Sequence, residues 1–240
     1  MEPLVVPRGA RARNAKVGAA FGIVSGILVT ALFLIPTPSG TPEQQLANFN
    51  TNTTTWRVIG FLDVLLLLSA IPFAAYLRSV LEGRSPGTAS AAAIMFVVGI
   101  VFGAGASLIQ ASEVGTLSGI YASTTASAAD RAAAVIAATL LSEISMSLFS
   151  IVLLEGGIVL FSVTMLNSRI FANWVADVGV ASGAVFILIF ALTPFFSTSS
   201  FLGFLIFLAF LVLLIVWVFG SSAYLLRSSR RTPVGAPAPA

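Results

Sequence analysis

Glu155 stands in Leu153-Leu154-Glu155-Gly156-Gly157-Ile158-Val159-Leu160-Phe161, a run otherwise suited to hydrocarbon. A carboxyl group in such surroundings can hold or release a proton, and intramembrane acids often mark such sites. Asp63, Gln110, Glu113 and Glu143 are further polar groups within or beside apolar segments. Together those four could line a vestibule above Glu155, or simply be solvated near helix ends, where polar residues are cheap. Arg131 is the cation available to satisfy Asp63. Asp177 follows Asn173 by one turn, a position where the helix dipole favours negative charge.

Two absences bound the chemistry further. The chain has no histidine and no cysteine, which removes imidazole proton relays, thiolate nucleophiles, disulfides and the usual zinc or haem ligands. Serines are plentiful but lack the base that a Ser nucleophile needs. No phosphate loop or dinucleotide motif occurs in a credible context. The residues therefore offer no catalytic constellation, no metal site and no cofactor site, and the expectation is a protein that is not an enzyme.

These side chains must be positioned by helices in a membrane. The 240 residues are 58% hydrophobic and 9% charged, with a mean hydropathy of +1.02, against about 25% charged in a soluble domain. Crossing the hydrocarbon takes about 20 mainly apolar residues. Six runs qualify: Val17–Ile35, Trp56–Leu77, Ala89–Ala111, Ile144–Leu166, Trp174–Thr193 and Phe201–Leu226. They are continuous rather than alternating, which argues helices over a strand barrel. The fold expected is all-α, an integral membrane six-helix bundle spanning residues 17–226. A basic cytoplasmic segment, 1–16, precedes it, and a disordered Pro/Ala-rich cytoplasmic tail, 227–240, follows.

Of the 12 basic residues, only Arg57 and Arg131 fall on one side of these spans. Arg8, Arg11, Arg13, Lys16, Arg78, Arg84, Arg169, Arg227, Arg230 and Arg231 fall on the other. Positive charge stays inside, so both termini are expected in the cytoplasm. The net charge of +3 is thus a topology signal rather than a nucleic-acid signal. The first run is longer than the apolar core of a signal peptide and reads as a retained helix.

Between the spans, Pro36–Thr55 and Ser112–Ser127 read as external loops, the first with a weak glycosylation sequon at Asn52-Thr53-Thr54. Ser127-Ala128-Ala129-Asp130 has capping-box spacing. A helix from there to Leu166 would be about 58 Å long, with Gly156-Gly157 as its natural bend. Gly18, Gly22 and Gly26 repeat every four residues, as do Gly99 with Gly103 and Gly179 with Gly183. Such stripes let helices approach closely, either within the bundle or, through the first helix, between two copies.

Glu155 lies about 18 Å from the cytoplasmic end of its span, near the bilayer centre. Ionised and unpaired, it would cost about 2.5–3.5 kcal/mol on insertion scales. Ile151, Val152, Ile158 and Val159 surround it on its own helix, and no cation lies deep in another span. The cheapest state is a neutral carboxyl turned toward Ser69, Ser107, Ser182 or a backbone carbonyl. As structure that is a polar clasp between helices; as function it is a proton acceptor on a transport path. An acid facing a wet crevice without titrating is the third alternative.

Trp56-Arg57-Val58-Ile59-Gly60-Phe61-Leu62-Asp63-Val64-Leu65-Leu66-Leu67-Leu68, followed by Ala75-Tyr76-Leu77-Arg78, resembles the second helix of a bacterial multi-pass family, domain of unknown function 4386. The Arg-Asn-Ala-Lys-Val-Gly entry to the first helix is similar, as is Ser168-Arg169-Ile170-Phe171-Ala172-Asn173-Trp174 before the fifth. The likeness covers most of residues 11–226; an arginine early in the third helix and a proline before Trp174 are missing. It implies a fold and a bacterial inner-membrane home, with no activity attached. The function read from the chain is a multi-pass protein of unknown role, an envelope or accessory component. A small proton-linked transporter using Glu155 is the alternative. Membrane lipid, a partner membrane protein or a second copy are the partners expected.

Overall fold

The computed structural model describes residues 8–35, 41–145, 148–192 and 201–230. The disordered tail expected over 227–240 is described only as far as Arg230, where the chain is helical, and its remainder lies outside the described residues, as do the side chains of Gln110, Glu113 and Glu143. Among the described residues the chain is all-helical: α1 (Arg8–Phe33), α2 (Pro42–Thr51), α3 (Thr53–Leu81), α4 (Pro86–Ala122), α5 (Ala128–Ser145), α6 (Leu148–Ser168), α7 (Asn173–Leu192) and α8 (Phe201–Arg230). Segments of α1, α3, α4 and α8 are long and apolar enough to cross a membrane; the apolar stretches of α6 and α7 are shorter.

The expected loop from Pro36 to Thr55 is corrected, because it carries α2. Thr41 caps that helix: its Oγ1 accepts from the Gln44 N–H at 3.4 Å while Gln44 Oε1 accepts from the Thr41 N–H at 3.0 Å. Pro42 follows in the first turn, where a missing N–H costs nothing. Trp56 pins α2 to α3, donating from Nε1 to Asn48 Oδ1 at 3.0 Å and meeting Phe49 edge-on at 5.1 Å. The second expected loop, Ser112–Ser127, is likewise corrected, since α4 runs on to Ala122. Its 37 residues extend about 55 Å.

The helix expected from Ser127 to Leu166 is described as two stretches, α5 and α6, with different neighbours, and Met146 and Ser147 between them lie outside the described residues. α5 packs on α4 and α2, whereas α6 packs on α4, α7 and α3. Ser127 and Asp130 do form the anticipated box. The Ser127 N–H donates to Asp130 Oδ2 at 3.0 Å, and the Asp130 N–H donates to Ser127 Oγ at 3.2 Å. No bend is needed at Gly156-Gly157, which lies inside unbroken helix. A side chain on Gly157 would meet the Phe96 backbone nitrogen at 2.7 Å. The glycine is there to let α4 come close.

The long helices contact one another in a circuit, α1 to α3 to α4 to α6 to α7 to α8 and back to α1. Gly18 lies against Tyr76, Gly22 against Phe73 and Ser222, and Gly26 against Phe219. The α1 stripe is therefore spent on α3 and α8, and a homodimer through it has no free face. Along these contacts α1 numbering rises as α3 and α8 numbering falls, so the neighbours are antiparallel. The buried core collects at one end: Ala19 of α1, Phe73 and Leu77 of α3, Ala92 and Phe96 of α4, Phe161 of α6, Val175 of α7 and Trp217 of α8. At the opposite end α2, the end of α4 and α5 pack together.

Outward faces are apolar. Val17, Phe21, Val24 and Ile27 of α1 are exposed, with Val58, Phe61, Leu65 and Leu68 of α3. Contiguous exposure on this scale is untenable in water and natural in lipid.

Two outcomes test this packing. Gly157→Ala forces α4 and α6 apart and is expected to cost about 1–3 kcal/mol by overpacking. Gly105→Ala, which meets nothing within 4 Å, is expected to stabilise by up to about 1 kcal/mol through helix propensity; thermal unfolding in lipid nanodiscs compares them. The second concerns Asp130, whose hydrogen bonds from Ser127 hold its carboxyl below the usual carboxylate range. A depressed value stabilises the start of α5 above the unfolded value of about 3.9 and loses that contribution as pH falls through the folded one. Hydrogen exchange at Ala129–Arg131, corrected for its intrinsic pH dependence, should show protection falling on acidification, and Asp130→Asn should abolish the step.

Candidate functional site

The three residues Glu155-Gly156-Gly157 divide their duties around α6. Gly156 and Gly157 face Met95 and Phe96 of α4, and that leaves Glu155, well round the helix from Gly157, to face α7. It is 3% exposed. Ser182 Oγ of α7 donates to Glu155 Oε2 at 3.4 Å, a long bond, and Oε1 has no hydrogen-bond partner. Of the three serines anticipated, Ser182 is the one that reaches it. Gly183, next to Ser182, lies on Val159 of α6, so the α7 glycine stripe brings the serine within range.

The remaining two serines serve elsewhere. Ser107 Oγ donates to Asp63 Oδ2 in a short bond between α4 and α3. Ser69 Oγ shares a 2.7 Å hydrogen bond with Ser25 Oγ of α1. The proposed pairing of Asp63 with Arg131 is corrected, because the Arg131 guanidinium donates to the Ser123 carbonyl at 3.0 Å. Among the described residues the ion pair present is Arg78–Glu82, at 3.3 Å on the surface. No cation meets Glu155 there. Asp177 is exposed within the first turns of α7.

Asp63 and Glu155 thus belong to different interfaces, one between α3 and α4, the other between α6 and α7. The vestibule joining Asp63 to Gln110, Glu113 and Glu143 rests on side chains outside the described residues. The backbone places Gln110 and Glu113 one to two turns beyond Ser107 on α4, and Glu143 near the end of α5.

The family model described as Domain of unknown function (DUF4386) matches residues 17–227. The chain belongs to this family. That match runs from early in α1 to late in α8 and so includes α2 and α5. No curated protein and no solved structure matches the chain.

In this DUF4386 chain the polar interior extends beyond what the acids alone suggest. Ser162 Oγ, Trp217 Nε1 and Ser221 Oγ are buried without a hydrogen-bond partner, like Glu155 Oε1. A buried polar atom left so costs about 1–3 kcal/mol. Ser162 is seven residues after Glu155 on α6, nearly two full turns, and thus on the same face. Gly179 of α7 stands against both Ser162 Oγ and the Trp217 indole, and Ser221 is one turn beyond Trp217 on α8. Two signals could have found these groups. Ser162 shares Glu155's helical face, and Trp217 lies about 15 Å inside Arg227, away from the interface where tryptophan is ordinarily placed.

The clasp can be measured directly. Ser182→Ala strips Glu155 of its donor and is expected to lower stability by about 0.6 kcal/mol, and by no more than about 1.7. Glu155→Gln keeps an acceptor oxygen for Ser182 and is expected to be milder; reversible unfolding in mixed micelles ranks the pair.

Proposed function

We propose that this protein is a multi-pass component of the bacterial inner membrane that crosses it six times, with both termini in the cytoplasm. Its role is non-enzymatic, that of an envelope or accessory component whose partners are lipid and another membrane protein. The observation that carries this reading is Glu155 itself: a buried carboxyl clasped by Ser182, with no second acid and no cation beside it among the described residues. General acid–base catalysis needs a partner group within hydrogen-bond reach of a reacting atom, and a clasp needs only the serine.

Six crossings are supported by length and circuit. α6 and α7 have 21 and 20 residues, or about 30 Å each, which matches the hydrocarbon thickness. Each packs between other long helices. The alternation of basic residues supports the orientation, since Arg78 and Arg84 flank the α3–α4 turn and Arg169 the α6–α7 turn. One observation favours a second reading, a small proton-linked transporter: the unpartnered Glu155 Oε1 is free to accept or pass a proton.

The absence of cysteine makes single-cysteine labelling clean. If α6 and α7 both cross, Ile170→Cys reacts with an impermeant maleimide only from the cytoplasmic side, together with Gly83→Cys and opposite to Thr125→Cys. If only α1, α3, α4 and α8 cross, Ile170→Cys reacts from outside with Thr125→Cys, and the six-crossing reading fails. The role is tested separately in proteoliposomes. The accessory reading expects Glu155→Gln to leave proton-coupled flux unchanged and co-purifying partners in place; a flux abolished by Glu155→Gln would establish the transporter instead.

A further inference from the structure

The α6–α7 turn and the end of α8 run past each other in antiparallel register. Trp174 lies over Gly220, and Phe171, earlier on the turn, meets Tyr224 with ring centroids 5.8 Å apart. A step back along the turn is thus answered by a step of one helical turn forward along α8. The next such step reaches Arg227 on α8, on the same face as Tyr224, and Ser168 and Arg169 on the turn. Ser168 is buried and Arg169 exposed, so Arg169 is the side chain presented to solvent at Arg227's level. Among the described residues the ion pair present is Arg78–Glu82, and the nearest acid along this stretch is Asp177, about two turns into α7. Two guanidiniums share a corner with no carboxylate between them.

Arg169 is also the residue, among those described, that holds a positive φ without being glycine, at 54°. This left-handed position ends many helices and ordinarily goes to glycine or asparagine; an arginine there is strained. Hydrogen bonds of its neighbour fix the conformation. Ser168 Oγ donates to the Met165 carbonyl at 2.9 Å and accepts from the Ile170 N–H at 3.2 Å. A strained residue held by its surroundings points to a task beyond stability. Orientation in the membrane asks for a cation somewhere in this turn, but not for this conformation, nor for a second arginine beside it.

We propose that Arg169 and Arg227 bind the phosphate of an anionic phospholipid that lies along the α7–α8 corner. Guanidinium groups grip phosphate oxygens through paired N–H donors and keep their charge at any physiological pH. The rest of the corner fits the rest of such a lipid. Trp174, 50% exposed, stands about one turn inward from the cations, at the level where indole rings meet headgroup and glycerol. Farther in, Val216 and Val212 of α8 are exposed one and two turns beyond Gly220, an apolar track for an acyl chain. A zwitterionic lipid brings a cation of its own to this corner, and a soluble anion leaves Trp174 and the valines uncovered. The site rests on the membrane reading above and is indifferent to the number of crossings, their direction and transport.

The test uses the full chain in detergent micelles, titrated with phosphatidylglycerol or phosphatidylcholine, with bound lipid read by native mass spectrometry. Phosphatidylglycerol is expected to bind about tenfold more tightly, the gain of one charge-assisted contact. Arg169→Gly and Arg227→Gln are each expected to lose that preference. Arg169→Gly also relieves the left-handed strain and is expected to raise the melting temperature by about 2–4 °C, so its lost lipid is not lost folding. Arg57→Gln, at the far end of α3, is the charge control and is expected to keep the preference. Equal affinity for the two lipids overturns the proposal, as does an Arg169→Gly variant that still prefers phosphatidylglycerol or an Arg57→Gln variant that no longer does. Inorganic phosphate separates the sources: lipid retained against a thousandfold excess supports the site, and lipid displaced assigns the corner to a soluble anion and overturns it. None of these outcomes bears on the labelling of Ile170→Cys or on flux, so this inference and the functional reading fail independently.

Discussion

Removing an ionised carboxylate from water costs several kcal/mol unless a cation and further hydrogen bonds meet it. Glu155 is enclosed by α6 and α7 with one serine hydroxyl for company. The arrangement is tenable with the carboxyl neutral, and neutrality sets the terms for its surroundings. A neutral acid asks for one donor and one acceptor rather than a charge, so the helices around it can be built almost wholly from apolar and small residues. The donor is Ser182; the acceptor side is where the polar row toward Trp217 begins. An arginine in place of Ser182 would demand its own solvation and force the seam open.

Small residues then decide how close the helices come. Lipid is as apolar as leucine and gives helices no hydrophobic reason to associate, so contact area and hydrogen bonds must do it. Gly157 against the Phe96 backbone, Gly22 against Phe73 and Gly183 against Val159 are positions where a methyl group would separate two helices. Those contacts are also what bring Ser182 within reach of Glu155. The polar clasp and the glycine stripes are one device: the glycines set the distance, and the serine uses it.

Much of this was legible in the chain, for reasons that also explain what was not. Within the described residues each apolar run coincides almost throughout with helix, the fourth with the end of α5 and with α6, because hydrocarbon thickness is a demand that composition records directly. The Ser127–Asp130 box was readable since its bonds are local. α2 was missed: ten residues of mixed polarity carry no membrane signal, and so short a helix holds only through its neighbours, here Trp56 and the buried Leu46. Its cap, Thr41-Pro42-Glu43-Gln44, was nonetheless written in the sequence. The end of α4 looked like a loop because Gly115 and Gly119 are poor helix formers, yet Gly115 lets the Arg57 side chain lie against it. Which serine meets Glu155 was open among three, since the choice depends on rotation and register that composition does not encode.

The two ends of the molecule differ in what holds them. At the end where the chain enters α1 and leaves α8, large side chains such as Phe73, Phe161 and Trp217 fill the space between helices. Toward the other end, long helices are joined by α2 and α5, and the polar pair Asp63–Ser107 bridges α3 and α4. The row from Glu155 to Ser221 runs down into the tightly packed end, so its unpartnered atoms are not a by-product of loose packing. They sit among fully buried neighbours, where an empty gap would forfeit dispersion contacts as well as hydrogen bonds. Polar heads there, on the same side of the bundle as the buried acid, make the α6–α7–α8 seam the part of the fold that packing alone does not explain.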